Sequence, residues 1–226
     1  MESIEDAVER RTATDVVFDR LFDAIFSLEF LPGTKLSEAE IAKRFGVSRQ
    51  PVRDAFAKLE AQGLLLIRPQ KATQVRGFSK ERIAHARFVR LAVELEVVRR
   101  ACENWKPEYS DQLAKNLVEQ RDVIDHNNLE ELHRLDYEFH KLICTFSGHR
   151  LAFDTIKECK SMVDRLCMLS LRRQSEAKTL LSDHEELAQA IGDRDVATAT
   201  ATIRLHLGRL DDTITTIHQS HAEFFE

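Results

Sequence analysis

The chain has 226 residues and a formal net charge of −5; 43% of its residues are hydrophobic, with seven glycines and four prolines. That is room for one large or two small domains of ordinary soluble globular composition, and the scarcity of glycine and proline favours helices. No apolar run approaches the ~20 residues that span a bilayer, and the acidic opening MESIEDAVERR is no secretory signal or transit peptide, so a cytoplasmic chain with no membrane association is expected.

Residues 1–11 read as a frayed lead-in. Thr12 or Thr14 is placed to cap a helix in which Val16, Val17, Leu21, Ile25 and Leu28 recur at helical spacing, and Leu31-Pro32-Gly33 ends it. The stretch LSEAEIAKRFGVSRQPVRDAFAKLEAQG (36–63) then reads as a helix-turn-helix. Ser37 stands at an N-cap position, with Glu38 and Glu40 in the first turn, where acidic groups suit the helix dipole. Ile41 and Phe45 share one apolar face. Gly46 suits the left-handed turn and Val47 plugs the angle between the helices.

Ser48 caps the second helix and Pro51 falls in its first turn, where a missing N–H costs nothing. Val52, Ala55, Phe56 and Leu59 form its inward face. Arg49, Gln50 and Arg53 point the other way, near the helix start, where recognition helices meet base edges. Arginine can grip guanine and glutamine adenine in bidentate fashion, so these residue types at this position point to double-stranded DNA. After Gly63, Leu64 to Ile67 and Thr73 to Val75 read as a two-stranded hairpin around Pro69-Gln70-Lys71, with Arg68 and Lys71 near its tip. From Lys43 to Arg76 there are eight basic residues against Asp54 and Glu60, a local charge of +6. Local charge, rather than the acidic whole, sets phosphate affinity.

GVSRQPVRDAFAKLEAQGLL, with LPGTKLSEAEIA upstream, resembles the winged helix-turn-helix of the GntR family of bacterial transcriptional regulators. The departures are small: Asp54 and Phe56 replace the commoner Glu and Leu. Ala39 stands where fatty-acid-responsive members carry a DNA-contacting arginine, and Gln70 or Ala72 where many relatives have a wing glycine. The resemblance implies that Ser48, Arg49, Gln50, Pro51, Arg53, Arg68 and Lys71 form the DNA-binding surface.

Residues 77–79 read as a linker. From 80 onward there is no strand signal, and helical patterns run roughly over 80–105, 108–126, 128–147, 150–174, 176–191 and 194–221. Six helices with short connections predict an antiparallel all-α bundle. The fold class is therefore mainly α: a winged helix-turn-helix at 1–76, a linker at 77–79 and a helical bundle at 80–226. Cys102, Cys144, Cys159 and Cys167 lie in these helical patterns without CxxC spacing, which suits buried reduced thiols.

In LDYEFHKLI, Asp136 and His140 are one helical turn apart; His184 opens HEELAQAIGDRD, and His206 lies on the next helix. Three imidazoles and a carboxylate suit a divalent transition metal such as Zn or Ni. From spacing alone they are equally three of nine histidines scattered over helix surfaces, and His133 offers a competing ligand. The pattern D-x-x-x-H, then H before A-I-x-x-x-D, then a third H is similar to the FCD effector domain of the FadR-type GntR subfamily, as is RLAVELEVVRRAC (90–102). That resemblance implies metal ligation by Asp136, His140, His184 and His206, and an effector-binding arginine at Arg90. Arg90 also stands four residues before Glu94, where a surface ion pair is the plainer role. The function implied is a homodimeric regulator, a repressor in most of the family, that binds a palindromic operator and answers to a small organic acid. The alternatives are a metal-responsive sensor and a metal-dependent hydrolase. No HExxH motif supports the hydrolase, and Glu185 points about 100° from His184 on a helix.

Overall fold

The computed structural model describes residues 12–167 and 174–226. Residues 1–11, read from sequence as a lead-in, and the last part of the 150–174 helical pattern lie outside the described residues. The chain divides into two compact units, one running through Ser79 and joined by His221–Glu226, the other Lys80–Ser220.

The first unit opens with α1 (Ala13–Phe26), capped by Thr12. The Thr12 hydroxyl accepts from the Asp15 N–H while the Asp15 carboxylate accepts from the Thr12 N–H, a reciprocal capping box. Val17, Leu21 and Ile25 bury one stripe of α1, whereas Val16 stays exposed. The helix ends at Phe26, before the expected Leu31-Pro32-Gly33 break, because Leu28 turns left-handed at φ +63° and Phe30 folds back so that its N–H reaches Ala24 O. Next come β1 (Lys35–Leu36), α2 (Glu38–Phe45) and α3 (Arg49–Ala61). Gly46, at φ +68°, closes α2 in the left-handed conformation expected of it. Ser37 and Ser48 occupy the N-cap positions with extended backbone, but neither hydroxyl makes a capping hydrogen bond, which corrects that expectation; water can serve the N–H groups there.

β2 (Leu65–Leu66) and β3 (Thr73–Val75) form the expected hairpin, with Leu65 opposite Val75. The sheet nevertheless has three strands, in the order β1-β3-β2, because Lys35 and Leu36 pair antiparallel with Gln74 and Thr73. A two-residue strand carries no periodicity to read. The core of this unit joins Leu21 and Ile25 of α1 to Ile41, Val52, Phe56, Leu59, Leu65 and Val75, with Val47 packed against it.

The second unit contains α4 (Lys80–Glu103), α5 (Ser110–Asp125), α6 (Leu129–Phe146), α7 (Ala152–Cys167), α8 (Gln174–Gly192), α9 (Val196–Gly208) and α10 (Leu210–Ser220). The breaks fall where turn chemistry puts them: Asn128 caps α6, Asp195 caps α9, and Gly148 has φ +80°. The helix expected over 194–221 is two helices. Gly208 weakens the helical run and Arg209 caps α9, its guanidinium held by Asp183 on α8. Val98, Phe139, Ile143, Leu187, Ile191 and Ile203 lie in one buried cluster drawn from α4, α6, α8 and α9. Cys102, Cys144 and Cys159 are free thiols and buried; the Cys167 side chain lies outside the described set.

Residues 221–226, read from sequence as the end of the bundle domain, pair instead with the linker. The Phe78 N–H donates to Phe224 O at 2.8 Å and the Glu226 N–H to Phe78 O at 3.0 Å. Gly77 permits this approach, since a Cβ there would lie 2.8 Å from Phe224 O.

Candidate metal centre and nucleic-acid interface

In the first unit, burial of Val52, Ala55, Phe56 and Leu59 turns the opposite side of α3 to water. Ser48, Arg49, Gln50 and Arg53 are exposed there and Pro51 is half-buried in the first turn; Arg68 and Lys71 are exposed at the β2–β3 turn. The guanidinium of Arg53 donates from Nε and Nη2 to the Glu38 carboxylate at 3.3 and 3.0 Å. Gln50 donates to Asp54 and Arg68 to Gln74. Such exposed contacts contribute little and exchange readily for a partner. At the hairpin tip Gln70 adopts φ +58°, the conformation a wing glycine would supply.

In the second unit, four side chains from three helices converge. Asp136 and His140 come from α6, His184 from α8 and His206 from α9, with one ligand atom of each lying within 4.8 Å of all the others. His184 Nε2 is 3.4 Å and His140 Nε2 3.6 Å from Asp136 Oδ1. Asp136, His140 and His184 are buried. The far side of each imidazole is held by a neighbour. His184 Nδ1 lies 2.9 Å from Gln120 Oε1 on α5, and Gln120 is tied in turn to Asn116. His140 Nδ1 lies 2.6 Å from Glu94 Oε2, an ion-pair approach without an aligned hydrogen bond, and His206 Nδ1 3.4 Å from Asp183 Oδ2. Fixing one ring nitrogen in this way leaves the other for a metal.

Electrostatics support the same use. Burial, then the nearby His206, keep the His184 imidazole neutral, well below its ordinary range, and burial lowers His206 as well. Burial alone would raise the Asp136 carboxyl, but Lys160 and the surrounding histidines hold it well below the usual carboxylate range. Burial would lower His140, yet Glu94 and Asp136 raise it. His184 Nε2 is a buried nitrogen with no hydrogen-bond partner. Two neutral imidazoles, those of His184 and His206, an ionised carboxylate and an orphaned nitrogen fit a divalent cation, which would displace the proton that Glu94 and Asp136 favour on His140.

Arg90 lies beside this cluster and is buried. Its Nε donates to Glu94 at 2.6 Å, so the expected i,i+4 pair exists, but in the interior rather than at the surface; Nη2 lies 3.3 Å from His140 Nε2. His133 is not part of the cluster and approaches Asp164 instead. Glu185 pairs with Arg121 at the surface. Sequence reasoning missed Gln120, Asp183 and Lys160. The signal for two of them was present: Asn116 and Gln120 interrupt the Leu113–Ile124 apolar stripe of α5, and Lys160 interrupts the Ile156–Val163 stripe of α7.

The sequence of the first unit matches the bacterial regulatory proteins of the gntR family over residues 13–75, and that of the second matches the FCD domain over residues 86–209. The chain is 37% identical over 194 residues to the HTH-type transcriptional repressor RspR of Escherichia coli K12, covering 86% of this chain and 85% of that one. This chain belongs to the GntR family. As a GntR-family protein with an FCD domain, it is a DNA-binding transcriptional regulator and not an enzyme. The gluconate operon transcriptional repressor of Bacillus subtilis is 28% identical, covering 80% of this chain and 76% of that one. Among solved structures, a putative GntR regulator from Rhodococcus sp. RHA1 superposes with a TM-score of 0.71 at 20% identity, covering 90% of this chain and 97% of that one. E. coli McbR/YncC gives 0.69 at 19% identity, covering 93% and 99%. Those two likenesses concern the fold of this GntR regulator.

Proposed function

We propose that this GntR regulator is a cytoplasmic, homodimeric repressor whose FCD domain holds a divalent metal and a small organic acid that together modulate operator binding. The observation that carries the reading is the convergence of Asp136, His140, His184 and His206 around the unpartnered His184 Nε2. Zn or Ni suits three imidazoles and one carboxylate. Bound there, the ion would supply Lewis-acid affinity for carboxylate oxygens. Arg90, permanently charged and suited to bidentate pairing, would orient the acid after loosening its hold on Glu94. Two copies of α3, carrying Arg49, Gln50 and Arg53, would read the halves of a palindromic site, with Arg68 and Lys71 at the flanking backbone.

The experiment is a titration of a fluorescent operator duplex, recovered by selection from random DNA, against chelator-stripped, zinc-loaded, and zinc- plus acid-loaded protein. Lactate, sugar acids, dicarboxylates and amino acids are the candidate acids. One of them should change affinity only when metal is present, and by linkage the operator should change that acid's affinity by the same factor. Equal operator affinity in every state sinks the proposal. The Arg90–Glu94 pair favours a second reading, in which the arginine is already satisfied and the ion itself is the effector. A switch by metal alone would establish it.

A further inference from the structure

Lys160 of α7 is 5% exposed, the only lysine among the buried described residues. An ammonium is expensive to bury, and this one is compensated on three sides. Its Nζ lies 2.8 Å from Asp136 Oδ2, 2.9 Å from Asp164 Oδ1 and 4.2 Å from the centre of the Tyr137 ring. Asp164 also receives the Tyr137 hydroxyl and faces His133. Lys160 therefore holds one oxygen of Asp136 and leaves the other, Oδ1, to His140 and His184. Around the four candidate ligands the contacts join four carboxylates, Glu94, Asp136, Asp164 and Asp183, to three cations, Arg90, Lys160 and Arg209, of which Lys160 alone touches a ligand carboxylate.

We propose that Lys160 is a resident counter-cation that competes with a divalent ion for the Asp136 carboxylate and so sets how tightly the site takes metal. The inference rests on the metal reading of the four ligands. A fixed positive charge against a ligand carboxylate repels an arriving dication and draws charge from the oxygen the ion must use, and in a buried site both effects are little screened. Lys160 is thus a positioning residue, acting on the ion through Asp136. Asp164 shares the ammonium and moderates its grip on Asp136.

The test is zinc affinity of the full chain, measured by competition with a chromophoric chelator after stripping. Lys160→Met should bind zinc roughly tenfold or more tightly than the unaltered chain, and Lys160→Arg, which keeps the charge, about as the unaltered chain does. Asp164→Asn should move the other way, weakening zinc several-fold as Lys160 turns wholly to Asp136; it serves also if Lys160→Met does not fold. Unchanged or weaker binding in Lys160→Met, or unchanged or tighter binding in Asp164→Asn, overturns the proposal while leaving the metal reading intact. Zinc bound by Lys160→Met but not by the unaltered chain supports it. Zinc bound by neither overturns both.

Discussion

Arg49 and Arg53 stand one turn apart at the start of α3, and they differ in how they are held. Arg53 is anchored by both Glu38 oxygens, whereas Arg49 makes no hydrogen bond or ion pair with the described residues. Either residue replaced by alanine should weaken a selected operator roughly ten- to a hundredfold while leaving random DNA little changed, if the side chain reads a base. Uniform weakening across sequences, with a shallower salt dependence, would make the contact one to phosphate. Gly46 gives a stability counterpart. At φ +68°, with no atom within 4 Å of a Cβ position, Gly46→Ala meets strain in the backbone alone and should cost about 1 kcal/mol. Thermal unfolding of the first unit should report it, and an unshifted transition would contradict the left-handed turn. At this scale the sequence was readable where chemistry is local: the turn glycine, the early proline and the one-turn spacing of Asp136 and His140. Lys160 and Gln120 showed only as polar breaks in apolar stripes, a signal too weak to name them, because which polar residue on a helix is buried depends on what packs over it.

Among elements, α5 does two jobs. Leu113 and Ile124 bury its apolar stripe while Asn116 and Gln120 lie in the same stripe, and Gln120 fixes the His184 ring. Gln120→Leu should keep the fold yet lower zinc affinity about ten- to a hundredfold, as loss of a ligand's hydrogen-bonded support does. Unaltered affinity would mean that packing alone orients His184. The linker and the 221–226 segment form another coupled pair, with the Phe78 and Phe225 rings 5.5 Å apart and Arg76 bonded to Glu226. Phe225→Ala should speed hydrogen exchange at the Phe78 amide, whose acceptor Phe224 O it loosens; unchanged protection would show that the backbone pairing stands without the ring. Long amphipathic helices and their breaks were legible because 3.6-residue periodicity and capping residues are local. The β1 strand, the pairing of 221–226 with residue 78 and the break after Gly208 were not. Two-residue strands have no period, and long-range pairing leaves no local mark.

For the whole molecule, the family assignment joins a DNA-binding gntR-type unit to an FCD unit. His184 and His206 lie on helices that meet across the Gly192 break, so their approach followed only loosely from spacing and needed the packing of α8 on α9 to become definite. The measurement that tests the central claim most directly is elemental analysis of the purified, untagged chain, with native mass spectrometry to catch a retained acid. The same analysis follows zinc reloading and is repeated on His140→Ala. The account predicts one Zn, Ni or Mn ion per chain, and a His140→Ala protein that keeps its fold and operator binding but holds no ion. No metal in the unaltered chain, even after reloading, would contradict it and return the four side chains to an ordinary buried polar cluster.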